Sequence, residues 1–136
     1  PFPGVIDALD TLAETGARLS VCTNKPSALA VALLDALALA DRFDRIIGPE
    51  DAPAKKPDPS HLLAAFGGAL PTRAVLVGDS EPDALAARAA GARLVLYRHG
   101  YSEKPVEGFA PDRLLEHYAD LNALLDGLWT DGRTHA

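Results

Sequence analysis

Methionine is missing from all 136 residues, cysteine occurs once, and aromatic side chains make up only 6%. Each shortage excludes something. The lone Cys22 can form no internal disulfide, so a reducing, cytoplasmic setting fits. No histidine stands near it in sequence to make it a nucleophile, and it reads as a small buried strand residue. Without methionine, a chain that starts PFPGV reads as a processed or trimmed product or, preferably, as part of a longer protein. Long apolar runs are also wanting. SALAVALLDALALA, at 27–40, falls short of the roughly 20 residues of a membrane span and is interrupted by Asp35. No pattern of basic start, apolar stretch and cleavage site opens the chain. Positive charge is scarce, with 13 Lys and Arg against 19 Asp and Glu, and the net charge of −6 argues against non-specific nucleic-acid binding. A locally positive pocket for a small anion stays compatible with that balance.

What is present suits one globular domain with a real core: 48% apolar and 24% charged residues. After Pro3 and Gly4, VIDALDTLAETG places Val5, Ile6, Leu9 and Leu12 at helical spacing, and Gly16 ends that helix. A strand follows over 17–23, then a helix over 27–39 so apolar that it is expected to lie buried against a sheet. A short strand at 43–48 leads into the proline-rich loop PEDAPAKKPDPS and a helix over 60–66 with Ser60 as its N-cap. AVLVG, at 74–78, has the look of a strand buried on both faces. A helix over 82–90, a strand over 92–97, a short strand within 113–117 and a helix over 121–128 complete a domain of residues 1–128, with 129–136 a frayed tail. Such alternation predicts an α/β fold, a Rossmann-like, mostly parallel sheet with helices on both faces.

Ligands of such sheets bind beyond the carboxyl ends of the strands. Thr23 ends the first strand there, with Asn24 and Lys25 just past it, and Lys55 and Lys56 occupy the loop after the second. Asp79 and Ser80 end the third strand, Asp83 opens the next helix, and His99 and Tyr101 follow the fourth strand. A hydroxyl, an ammonium and two carboxylates gathered on one rim suit phosphoryl transfer. The carboxylates match Mg²⁺, which takes oxygen ligands and keeps several waters. Thr23 can donate to a phosphoryl oxygen, aided by N–H groups at the following helix N-terminus. A lysine ammonium can balance charge on the transferred group. Each residue also has a plain explanation. Asp83 is favourable in a first helical turn without any ligand, Asp79 and Ser80 can cap that helix, Thr23 can be an ordinary strand residue, and Lys56 a solvated charge. Their convergence is what favours a site. The histidines at 61, 99, 117 and 135 lack metal-ligand spacing and read as structural or surface residues, with His99 the one near the rim.

VCTNKP, AKKPDP and VGDSEPDALAARAAG, in that order, resemble three of the four motifs of the haloacid dehalogenase superfamily of phosphatases. The match covers nearly the whole chain, and within the family PGVIDALDTLAETGARLSVCTNKP and HGYSEKPVEGFAPDRLLEHYADL look like phosphoglycolate phosphatases. The resemblance implies that Thr23 binds the phosphoryl group with support from Asn24, and that Lys56, rather than Lys55, stabilises the phosphorylated intermediate. It implies that Asp79 binds Mg²⁺, with Asp83 joining directly or through water. The implied reaction is attack by an aspartate on a small phosphorylated substrate, giving an aspartyl-phosphate that water hydrolyses.

The family's first motif, a strand ending Asp-x-Asp-x-Thr that carries the nucleophile, is not in this sequence, nor is the small helical cap that follows it. Asp7 and Asp10 in IDALDT are three apart instead of two and fall on the first helix, where they are expected to face solvent. The chain is therefore expected to be the later part of a Mg²⁺-dependent phosphatase of 2-phosphoglycolate, with little turnover alone. Other readings are another sugar-phosphate or nucleotide phosphatase, a receiver-like phosphate-binding module, or an inactive fold used for binding. The missing strand would lie between the strands at 17–23 and 74–78. Their bared edges are expected to close on each other, stay splayed, or recruit another chain.

Overall fold

The computed structural model describes residues 4–68, 73–100, 102 and 104–134; Pro3, Tyr101 and His135, named above, lie outside the described residues. Helix α1 (Val5–Glu14) leads to strand β1 (Ser20–Cys22), helix α2 (Ser27–Ala36) and strand β2 (Arg45–Ile47). Helix α3 (Pro59–Phe66), strand β3 (Val75–Gly78) and helix α4 (Glu81–Ala90) follow. Strands β4 (Arg93–Tyr97) and β5 (Arg113–Leu115) and helix α5 (Leu121–Thr134) close the fold. Among the described residues no helix is long and apolar enough to cross a membrane.

Among the described residues all strand pairs are parallel, but they form two sheets, β1-β2 and β3-β4-β5. The expected α/β architecture is present, and it is split where the first-motif strand would lie. The edges of β1 and β3 do not close on each other.

β4 is the middle strand of the larger sheet and builds both halves of the core. Leu94 and Leu96 face one way, into a cluster with Leu62 of α3 and with Ala84, Ala86 and Ala87 of α4. Val95 and Tyr97 face the other way, against Ala8 of α1, Leu115 of β5 and Leu121 and Leu128 of α5. This is the period of two of a strand covered by helices on both sides. The small alanines let α4 lie close to the sheet and to α3.

Local signals explain most boundaries. Gly16, at φ 84°, follows the end of α1 in the left-handed region that glycine enters without strain. Gly4 starts the same helix where a Cβ would come within 2.9 Å of the Ala119 backbone nitrogen, so only glycine lets the two segments approach.

Four expectations change. Helix α2 is not buried: only Ala30 is, while Leu29 and Leu33 are 59% and 50% exposed. A helix apolar on every side can bury only the stripe facing the sheet, and here that sheet has two strands. Strand β3 is half-covered, with Leu76 its one buried residue, because its outer edge has no neighbour in the sheet. The N-cap of α3 is Asp58, whose carboxylate accepts from the Ser60 N–H at 2.8 Å; Pro59 takes the first helical position. The closing helix runs on to Thr134, through 129–134 of the stretch read as a frayed tail. Asp7 and Asp10 do stand exposed on α1, and Asp10 pairs with Arg42 at 2.8 Å.

Candidate active site

The carboxyl ends of β1 and β3 flank the gap between the sheets, and Lys56 bridges it. Its ammonium donates to the Cys22 carbonyl at 2.7 Å and to Asp83 Oδ1 at 2.6 Å. In parallel pairing, the N–H and C=O of one residue point to the same side and alternate along the strand. Asp44 N–H reaches the Leu19 carbonyl, and Thr23 N–H reaches the Ile47 carbonyl, so Leu19, Val21 and Thr23 face β2. The Cys22 carbonyl therefore points into the gap, where the lysine satisfies it. Lys55, by contrast, is exposed.

Asp83 is buried at the start of α4, and all its acceptor capacity is directed. Oδ2 takes Asp79 N–H at 3.1 Å, Ser80 N–H at 3.2 Å and the Ser80 hydroxyl at 2.9 Å, while Oδ1 takes Lys56. Asp83 thus does sit in the first turn of α4, as its plain explanation has it, with Ser80 as the N-cap, and the same carboxylate also holds the lysine. Gly78 makes this approach feasible, because a Cβ there would come within 2.6 Å of Asp83 Cγ. We expect Gly78→Ala to cost about 1–3 kcal/mol by overpacking, measured by urea denaturation. An unchanged midpoint would show that Asp83 can swing away freely.

On the β1 side, Thr23 Oγ1 accepts from Lys25 N–H at 3.0 Å, which leaves the hydroxyl proton to donate. Asn24 Nδ2 donates to the Lys56 carbonyl at 3.1 Å. The N–H of Ser27, at the start of α2, is already held by Glu50 Oε1 at 2.5 Å, so this helix end is occupied by a carboxylate. Hydrogen bonds from Ser27 hold the exposed Glu50 carboxyl below its ordinary range. Cys22, expected to be buried, is half-buried against the core, and that burial pushes its thiol up to about 11.

Asp79 is half-buried, and Gly100 packs on it so closely that a Cβ would lie 2.7 Å from Asp79 Cγ. Burial, with a smaller contribution from the Asp79 carboxylate, pushes the Tyr118 phenol up to about 12. His99 is exposed and turned to Glu116 at 3.0 Å. Lys56, Asp83, Asp79 and Ser80 are thus joined directly, Asn24 through the Lys56 carbonyl, and Thr23 as the residue after Cys22. His61, read as a structural or surface residue, is buried, while Glu50, Gly100 and Tyr118 escaped the sequence reading; of these only a glycine just past a strand end carries a local signal.

Among the described residues, no group of three or more His, Cys, Asp or Glu side chains converges as a metal cage. Mg²⁺ does not need one, since one or two carboxylates and several waters suffice. The donor chemistry fits with Asp79 as the protein ligand and Asp83, committed to Lys56 and the helix start, supporting it at one remove.

Comparison with known proteins identifies the family. Residues 1–97 match the haloacid dehalogenase-like hydrolase family. The chain is 48% identical over 124 residues to the phosphoglycolate phosphatase of Caulobacter vibrioides, covering 89% of this chain and 52% of that protein. It is 39% identical to phosphoglycolate phosphatase 1 of Pseudomonas aeruginosa, covering 88% and 45%. In structure it resembles a predicted phosphoglycolate phosphatase from Haemophilus somnus, with TM-score 0.87, 31% identity, and 91% and 56% of the two chains covered. It also resembles CbbY from Rhodobacter sphaeroides in complex with phosphate, with TM-score 0.77, 30% identity, and 88% and 55% covered. The chain spans about half the length of the curated relatives it matches.

Proposed function

This chain belongs to the haloacid dehalogenase-like hydrolase family, and from that premise we propose that it is the later part of a Mg²⁺-dependent phosphomonoester hydrolase acting on 2-phosphoglycolate. The observation that carries the proposal is the buried Lys56–Asp83 pair at the carboxyl ends of β1 and β3, set beside Thr23 and Asp79. The names of the similar proteins support the substrate.

In this reading Thr23 donates its hydroxyl proton to a phosphoryl oxygen, and Asn24 keeps the Lys56 peptide in place. The Lys56 ammonium balances negative charge that gathers on the group during transfer, a preorganised electrostatic role. Asp79 holds the cation and Asp83 fixes both the lysine and the start of α4. Mg²⁺ bound there supplies charge neutralisation for the phosphate. The nucleophilic aspartate that forms the aspartyl-phosphate is expected from outside this sequence, since the motif that carries it is not among these residues and Asp10 stands exposed midway along α1, paired with Arg42. The chain alone is therefore expected to bind phosphate weakly and to turn over little.

The test is orthophosphate release by the whole protein from 2-phosphoglycolate, set against a panel of sugar phosphates and nucleotides, with and without chelator. Asp79→Ala should lower kcat/KM at least about a hundredfold, a loss in the range of removed electrostatic groups, and Asp10→Ala should leave it unchanged. Activity indifferent to Asp79 or to chelator would reject the reading, and preference for a sugar phosphate would reassign the substrate. A receiver-like module places its acidic pair early and its threonine late, the reverse of this chain; a stable acetyl-phosphate label on the chain would favour it.

A further inference from the structure

We propose that His61 is a positioning residue which, as the neutral Nε2–H tautomer, ties the Lys56 peptide to the carboxyl end of β2 and so aims the Lys56 ammonium into the gap between the two sheets. His61 is fully buried, one of three buried polar side chains among the described residues, the others being Lys56 and Asp83. Its Nδ1 accepts the Lys56 N–H at 2.9 Å. A nitrogen that accepts carries no proton, so the ring proton is on Nε2, which stands 3.2 Å from the Ile47 carbonyl and donates to it.

That carbonyl also takes the Thr23 N–H at 3.0 Å. One acceptor at the end of β2 therefore sets the register of Thr23 directly and of Lys56 through the imidazole. The Lys56 peptide is held from both sides: its N–H by His61 and its C=O by Asn24. His61 itself stands on α3, whose start is fixed by the Asp58 cap, so the clamp rests on a helix and not on the proline-rich loop. A leucine of similar size would fill the core equally well but leave the buried Lys56 N–H without a partner. Both ring nitrogens are taken up by the backbone, at Lys56 and at Ile47, so the imidazole acts on the site through the Lys56 peptide. The functional meaning rests on the proposed role of Lys56 in phosphoryl binding, whereas the clamp stands on geometry alone.

The direct test is NMR of the ¹⁵N-labelled chain. A scalar coupling across the hydrogen bond from the Lys56 amide nitrogen to His61 Nδ1, with the ring proton on Nε2, is the expected result. Absence of that coupling, or a proton on Nδ1, overturns the proposal without any variant. His61→Asn keeps an acceptor near the Nδ1 position, and His61→Gln keeps a donor near Nε2. Exchange of the Lys56 amide should stay near wild type in His61→Asn and rise about tenfold in His61→Gln, the scale of one lost hydrogen bond. Equal exchange in the two variants, with β4 amides as the folding control, overturns the clamp. In the whole protein, kcat for 2-phosphoglycolate should follow the same order. If the whole protein shows no phosphatase activity while the coupling and exchange results hold, the functional reading fails and the clamp stands.

Discussion

Replacing Lys56 with Met should destabilise the chain by about 3–5 kcal/mol, the range for removing one partner of a buried ion pair. The side chains of Lys56 and Asp83 are 9% and 8% exposed, so water does little to screen them. Loss of the ammonium would leave a carboxylate buried with only neutral donors on its other oxygen, and the Cys22 carbonyl would lose its partner. Against the roughly 5–15 kcal/mol that holds a domain together, this is a large fraction. The shift should appear as a lower urea midpoint with the slope unchanged. Asp83→Asn placed on top of Lys56→Met should recover part of the loss, because the amide keeps an oxygen for the Ser80 and Asp79 N–H groups but removes the uncompensated charge. A midpoint that does not move on Lys56→Met would mean that water reaches the pair, and the site would lose its fixed ammonium. The exposed Asp10–Arg42 pair makes the contrast, and its removal should barely register.

The parts of this site that the sequence exposes are those whose signals are local. A short apolar strand followed by Asp79, Ser80, Pro82 and Asp83 specifies a strand end and a helix start within a few residues, and both appear where expected. The choice between Lys55 and Lys56 is a different kind of problem. Which ammonium turns inward depends on Asn24, Cys22, His61 and Asp83, which reach the loop from three other elements. Only the family likeness favoured Lys56 beforehand. The cap of α3 was readable after all, since Asp58-Pro59 places a capping carboxylate before a proline suited to the first helical position. Helix α2 failed for a non-local reason: apolar composition measures what could be buried, whereas the width of the facing sheet decides what is. For His61 the sequence supports a structural or surface role and no more, because nothing in SHLL distinguishes a clamp from a core residue until β2 and the lysine loop are folded around it.

The split between the sheets makes its own prediction, an alternating pattern of amide exchange. Thr23 and Val21 face β2, so their N–H groups are protected, whereas those of Ser20 and Cys22 point into the gap. On the other bank, Arg93 N–H reaches the Ala74 carbonyl, which sets Leu76 and Gly78 toward β4 and Val75 and Val77 toward the gap. Opening free energies within one protein range from near zero to the global value. Gap-facing amides should therefore exchange at least about a hundredfold faster than their neighbours at low protein concentration. Uniform protection in a monomer would require the two sheets to close and would contradict the observed topology. We propose that the bared edges can also pair with a second copy, and that protection of Ser20, Cys22, Val75 and Val77 then rises with concentration alongside the apparent mass. In the whole protein the same four amides should be protected at every concentration, because a further strand between β1 and β3 would take up the hydrogen bonds that both edges leave open. Fast exchange of those amides there would place the missing strand elsewhere and remove the aspartate it carries from reach of Lys56.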